Sequence, residues 1–244
     1  MTIEIIPLPI DKEIEIGEKL SNLFTSSKQK FQDGDILVLS QKIISKQEGR
    51  IVDLSTIIPS VLAVGIGSEY NKDPKLVEII LSETKRIVRM ENGVIIVETK
   101  HGLMCANAGV DESNVSNGYV TLLPTDSDKS ARALREEILK KTGKKIAVLI
   151  SDTFGRPFRM GQTDCAIGVA GMDSILDYKG KKDIHGKLLR VTVIAIADEL
   201  CSASELVRGK LLRTPAAIIR NYKFSGNEGT VKSLLRPDKE DLFR

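Results

Sequence analysis

The stretch Lys144-Lys145-Ile146-Ala147-Val148-Leu149-Ile150-Ser151-Asp152-Thr153-Phe154-Gly155-Arg156-Pro157-Phe158-Arg159-Met160-Gly161 decides the fold class. Residues 145–150 form a short apolar run bounded by charge on one side and small polar residues on the other, which predicts a buried strand. The run opens onto Asp152 and Thr153. A carboxylate and a hydroxyl then stand at the mouth of a sheet, where sheets containing parallel strands gather metal and phosphate sites. Gly155 and Gly161 allow close backbone approach. Arg156 and Arg159 carry forked donors suited to phosphoryl oxygens, and Gln162 and Asp164 lie beside them. The plainer alternative is a turn capped by Asp152 with both arginines in water.

Upstream, Pro124–Ser130 reads as a loop and cap leading into a helix at Ala131–Thr142, ended by Gly143. Downstream, residues 166–170 predict a strand or a close-packed glycine-rich stretch, Leu189–Ala197 a strand, Glu199–Val207 a helix and Ala216–Ile219 a last strand. Before the central stretch, residues 2–8 read as a strand, Thr2-Ile3-Glu4-Ile5-Ile6, stopped by Pro7 and Pro9, and Glu18–Phe24 as a helix. Ile36–Leu39 predicts a strand, Ile43–Ile44 a short strand or turn, Pro74–Ser82 a helix within mainly helical 51–90, and Val94–Val97 a strand. The mixture indicates an α+β fold with no repeat. One domain spans 1–244, and any subdomain boundary falls near residue 80 or 180.

Composition narrows the class. Of 244 residues, 41% are apolar and 28% charged, which suits a globular chain that buries roughly 70% of its unfolded surface. No window approaches the roughly 20 apolar residues of a membrane span, and the N-terminal residues lack a secretory pattern. A cytoplasmic protein without a membrane partner is therefore expected. The net charge is only +3 and aromatics are 4%, too few for the stacking platforms of a single-stranded nucleic-acid binder. Cys105, Cys165 and Cys201 are sparse and share no paired spacing, so they read as small buried hydrophobes. A thiolate at Cys105 with His101 nearby is the weaker alternative.

A second candidate segment is Asn107-Ala108-Gly109-Val110-Asp111-Glu112-Ser113-Asn114. Asp111 and Asn114 offer the hard oxygens that Mg2+ or Mn2+ prefers, although an Asx turn needs the same residue types. Asp198 offers a further carboxylate or a helix cap. Lys42 and Lys46, after the strand ending at Ser40, are either phosphate contacts or solvated side chains. No nucleotide-binding glycine motif of the common kinds is present. Carboxylates, arginines and loop lysines together fit metal-assisted phosphoryl transfer, and the residues alone leave the acceptor open.

These segments carry a resemblance. The stretches "DGDILVLSQKIISKQEGR" (33–50), "NAGVDESNV" (107–115), "SDTFGRPFRMGQTDCAIGVAG" (151–171) and "GKKDIHGKLLRVTVIAIADELCSASELVRG" (180–209) resemble the coenzyme F420-0:L-glutamate ligase family, the gamma-glutamyl ligases. The resemblance covers nearly the whole chain. It implies a mixed-sheet α+β fold in an intertwined homodimer, and a ligase that adds L-glutamate to F420-0 through an acyl phosphate. GTP would be the co-substrate, with Mn2+ or Mg2+, two per site, and K+ as a further candidate ion. It matches Asp111, Asp152 and Thr153 to metal ligands. It places Asp11, Lys12, Glu13, Ile14, Gln41, Lys42, Lys46 and Asn114 at the nucleotide. The stretch Arg208-Gly209-Lys210-Leu211-Leu212-Arg213-Thr214-Pro215 also falls there. Relatives often carry a glycine- and acid-rich version of that stretch, so this basic one leaves the choice of GTP over another nucleotide open. Arg156 and Arg159 would serve the anionic substrate or the transferring phosphate. With the chain ending at Arg244, the flavin-binding domain fused to some bacterial relatives is not expected. A different amide ligase or a nucleotide phosphohydrolase on the same scaffold remains the alternative.

Overall fold

A computed structural model describes residues 2–241. The first half of the chain forms β1 (Glu4–Leu8), α1 (Leu20–Ser26), β2 (Ile36–Ser40), α2 (Gln41–Gln47), β3 (Ile51–Asp53), α3 (Val61–Tyr70), α4 (Pro74–Glu83), β4 (Thr84–Glu91), β5 (Val94–Thr99) and β6 (Met104–Ala106). The second half forms β7 (Tyr119–Thr121), α5 (Ser127–Thr142), β8 (Ala147–Arg156), β9 (Arg159–Ala170), β10 (Leu176–Asp177), β11 (Val193–Ile194), α6 (Ile196–Arg208) and β12 (Ala216–Arg220).

The central five-stranded sheet runs β1-β12-β2-β8-β9. Only β2 and β8 pair in parallel, and the other three pairings are antiparallel. Both faces are covered, which is why β2 and β8 read as continuous apolar runs. Leu37, Leu39, Val148 and Ile150 face one way, onto Phe24 of α1 and Ala131, Leu134 and Ile138 of α5. Ile36, Val38, Ala147 and Leu149 face the other, onto Ala197, Leu200 and Cys201 of α6. A second packing centre lies in the crossover between β2 and β8. Leu76, Val77, Ile79 and Ile80 of α4 pack there on Ile95 and Val97 of the β4-β5-β6 sheet. Residue 80 lies inside that centre, and residue 180 in the β10–β11 arm.

Several expectations are corrected. β1 runs through Pro7 to Leu8 because it is an edge strand, paired only with β12, and needs no further donor there. Ile43 and Ile44 are helical. Ser40 Oγ accepts from Lys42 N and opens α2, which then buries both isoleucines. Residues 84–91 are strand, since the Asn92-Gly93 turn, with both φ positive, folds them back on β5. The strand expected at 189–197 shrinks to Val193–Ile194 because α6 begins at Ile196. α5 starts earlier than expected, at Ser127, where the Asp126 carboxylate accepts from Lys129 N at 2.9 Å. Most consequentially, β8 does not end at Ile150. It continues to Arg156 and turns through Pro157-Phe158 into β9. Asp152 and Thr153 thus sit within a long hairpin, not at its end.

Among the described residues, no helix is long and apolar enough to cross a membrane.

Candidate active site

The parallel pairing of β2 and β8 sets Ser40 beside Ser151, so β2 ends, and its following residues emerge, where β8 runs on beyond it through Asp152 and Thr153. β12 is antiparallel to β2, and its beginning lies beside that end of β2: Ser40 N donates to Pro215 O at 2.8 Å. β1 ends there as well, with Ile10 N donating to Arg213 O at 3.0 Å. The ends of β1 and β2, the start of β12, the middle of β8 and the C-terminus of α6 therefore surround one cleft of about 800 Å3. The 107–114 segment closes it from the second packing centre. Asp111 pairs with Thr121 in an isolated bridge. Gly109 allows the tight approach, since its φ is +71° and a Cβ there would meet the Leu123 side chain at 2.7 Å.

Most of the residues expected to act together meet here. Lys12, Glu13, Ile14, Lys42, Lys46 and Asn114 line the cleft, as do Asp111, Asp152 and Thr153. From the C-terminal stretch, Arg208, Gly209, Lys210, Leu211, Arg213, Thr214 and Pro215 join them. Asp11 and Leu212 are not part of the lining, and Gln41 is buried beneath it, accepting from Ser45 Oγ at 2.6 Å. Arg156 and Arg159 stand apart. They are exposed at the β8–β9 hairpin tip, where Arg156 donates to the carbonyls of Met160 and Gly161. Asp198 does not cap α6: its carboxylate accepts from Ala166 N at 2.8 Å, and burial raises its pKa.

The electrostatics separate three carboxylates. Burial works against the charge of Asp111, but Lys42, with Nζ 2.7 Å from Oδ2, and the Ser113 N–H outweigh it and lower its pKa. Asp152 is different. Burial pushes its carboxyl up to about 6, against the Thr153 N–H and the Lys42 charge, and Asp111 and Asp164 add to the rise. Among the described residues no basic side chain lies within 4.0 Å of it. A carboxylate so enclosed, facing a second one and lacking a contacting cation, fits a bound metal ion.

Asp164 is the third, and the sequence marked it only as a neighbour. Burial opposes its charge, yet its pKa is lowered by Thr153, Arg208, Lys210 and Ser151. Thr153 Oγ1 donates to Oδ1 at 2.7 Å and Ser151 Oγ to Oδ2 at 3.1 Å. Arg208 forms an almost wholly buried ion pair with Oδ2. A lone Asp beside the apolar run 165–170 was the signal available. The thiols play no such part: burial pushes Cys105 and Cys165 up to about 12, so neither supplies a thiolate near neutral pH.

Comparison with known proteins places the chain in a family. Residues 9–221 match the family model for F420-0:gamma-glutamyl ligase. The chain is 44% identical over 240 residues to the coenzyme F420:L-glutamate ligase of Methanocaldococcus jannaschii, covering 98% of this chain and 95% of that protein. It is 48% identical over 215 residues to the enzyme of the same name from Methanothermobacter thermautotrophicus, covering 87% and 85%. With that of Methanopyrus kandleri it shares 40% over 249 residues, covering 100% and 98%.

Proposed function

The chain belongs to the F420-0:gamma-glutamyl ligase family, a family of amino-acid ligases, and from that premise we propose that it adds L-glutamate to coenzyme F420-0, then a second one through the gamma-carboxylate of the first. GTP is the proposed co-substrate, with Mn2+ or Mg2+ at the site. The observation that carries the reading is the meeting of Asp111 and Asp152 in one cleft, with Lys42 acting on both. One comes from each packing centre, so only the folded chain assembles them.

In this reading a substrate carboxylate oxygen attacks the gamma-phosphorus of GTP, and the bond to GDP breaks. The glutamate amine then attacks the acyl phosphate carbon, loses a proton, and phosphate leaves. A divalent ion at Asp111 and Asp152 would neutralise charge on the transferring phosphoryl group. Lys42 fixes the Asp111 carboxylate, and Lys46, held 2.7 Å from Glu13 Oε2, offers a point charge toward the phosphates. Asn114, at a φ of +59°, is set at the cleft wall for the nucleotide. Arg213 and Thr214 line the same cleft. Arg156 and Arg159, on the hairpin tip, would meet an anionic part of the substrate reaching outward along β8 and β9.

An intertwined homodimer is part of the same proposal. It is supported by α3, where Val61, Leu62 and Val64, with Ile58 just before, leave apolar side chains in solvent.

The test combines the purified chain with F420-0, L-glutamate, GTP and Mn2+, and reads products by mass spectrometry. Glutamylated product with matching GDP is expected. Hydrolysis of GTP without any adduct would favour a phosphohydrolase.

A further inference from the structure

We propose that the Lys210 ammonium occupies the cation position beside Thr153, so that each site takes one divalent ion, at Asp111 and Asp152, with Lys210 standing in for a second. The inference rests on the metal- and GTP-dependent reading and changes its metal count.

A threonine hydroxyl has one proton to give and two lone pairs to offer. The proton of Thr153 goes to Asp164 Oδ1 at 2.7 Å. A lone pair accepts from Lys210 Nζ at 2.6 Å. The same ammonium lies 3.3 Å from Asp164 Oδ1 and 3.8 Å from Glu205 Oε1. The hydroxyl of Thr153, a residue that the family resemblance matches to a metal, thus already meets a positive charge.

The carboxylate that would neutralise an ion at Thr153 is occupied too. Asp164 is 3% exposed and carries Arg208 and Lys210 as well as the hydroxyls of Ser151 and Thr153. A divalent ion placed there would lie against two cations, and the repulsion is strongest from Arg208, which is almost wholly buried, and weaker from the more exposed Lys210. The contrast with Asp152, which lacks a contacting cation, is direct.

The position of Lys210 is built into the chain. α6 ends at Arg208, and Gly209 turns the backbone with a φ of +56°, its N–H donating to Glu205 O at 3.0 Å. Arg208 is thereby directed inward and Lys210 toward the cleft. An ammonium there supplies a compact positive charge and rotatable N–H donors to a phosphoryl group. Lys210 is therefore assigned to the reaction itself, and Asp164 to holding it in place.

The test counts bound Mn2+ on the full chain in the presence of a non-hydrolysable GTP analogue, using electron paramagnetic resonance. The wild type is expected to bind one Mn2+ per chain with an uncoupled spectrum. Lys210→Glu, which replaces the ammonium by a carboxylate, is expected to bind a second and show coupling between close ions. Two coupled Mn2+ in the wild type would overturn the inference without reference to any variant. A Lys210→Glu protein that folds, by its melting profile, yet still binds one would overturn it as well. No Mn2+ on the wild type would overturn both this inference and the metal-dependent reading, whereas two Mn2+ with normal glutamylation would overturn this inference alone.

Discussion

Lys42 Nζ lies 2.7 Å from Asp111 Oδ2, and this ion pair joins the first turn of α2 to a loop of the second packing centre. It does two things: it keeps Asp111 ionised, and it holds that carboxylate opposite Asp152. Lys42→Met removes the charge but keeps most of the aliphatic stem. A charge-assisted contact contributes about 1.5–3 kcal/mol, so a rise of roughly 10- to 100-fold in the KM for GTP is expected. The melting temperature should change little, because the pair is partly exposed. Steady-state kinetics beside a thermal melt checks both.

Asp152→Asn separates function from stability. Burial raises this carboxyl from the ordinary 3.8 to about 6, so the fold favours its neutral form. The contribution to stability is complete below pH 3.8 and is lost as pH rises through 6. In metal-free protein the variant should therefore melt a few °C higher than the wild type at pH 8, with the gap closing between about pH 6 and 4. Added Mn2+ should raise the wild type alone. Melting curves across pH, with and without Mn2+, decide this. A variant less stable at pH 8 would remove the case for an uncompensated carboxylate.

Asp164→Ala should be the most damaging change in the site. It strands the Arg208 guanidinium, which is 4% exposed, without its carboxylate. Breaking one side of a buried pair costs about 3–5 kcal/mol, which at roughly 2–4 °C per kcal/mol for a chain this size is a fall of about 6–20 °C. Calorimetry measures it directly.

Gly168→Ala tests the seating of α5 on the sheet. A Cβ at 168 would lie 2.6 Å from Ser127 O, which is backbone and cannot rotate away. The neighbouring Val169 N donates to Asp128 Oδ1 at 2.8 Å, fixing the same contact. Overpacking of this kind costs about 1–3 kcal/mol, to be read as a lowered midpoint in urea.

The parts of this molecule that a sequence can disclose are the locally determined ones. Ile36–Leu39 and 145–150 announce themselves as strands because both faces are buried, and Pro74 and Gly143 mark helix ends through backbone chemistry. The turn at Pro157-Phe158 was hidden because Asp, Thr and Gly inside β8 look like the end of a strand, and only pairing with β9 carries them further. α2 is hard to read from sequence because Ile-Ile favours strands, while the Ser40 cap that decides the matter is a single side chain. At the site, the glycine-flanked segments mark Asp111 and Asp152 as candidates beside a plainer turn reading of each, and the structure brings both to one cleft. The Asp164 network is not marked in this way, because Ser151, Thr153, Arg208 and Lys210 converge on it from β8 and from the end of α6.

Leu62→Glu addresses the proposed dimer. Leu62 is 60% exposed on α3 beside Val61 and Ile58, so a charge there should leave the fold intact. Light scattering is expected to show a dimer for the wild type and a monomer for the variant. An unchanged mass would place the interface elsewhere.

The central claim is the chemistry, and one measurement reaches it most directly. Wild type and Asp152→Asn are each incubated with F420-0, L-glutamate labelled with 15N, GTP and Mn2+, and the products are weighed by mass spectrometry. The ligase account expects the wild type to form an adduct carrying the label, with one GDP per glutamate added, and Asp152→Asn to form almost none while remaining folded. Unlabelled F420-0 recovered intact beside consumed GTP, or full turnover by Asp152→Asn, would contradict it.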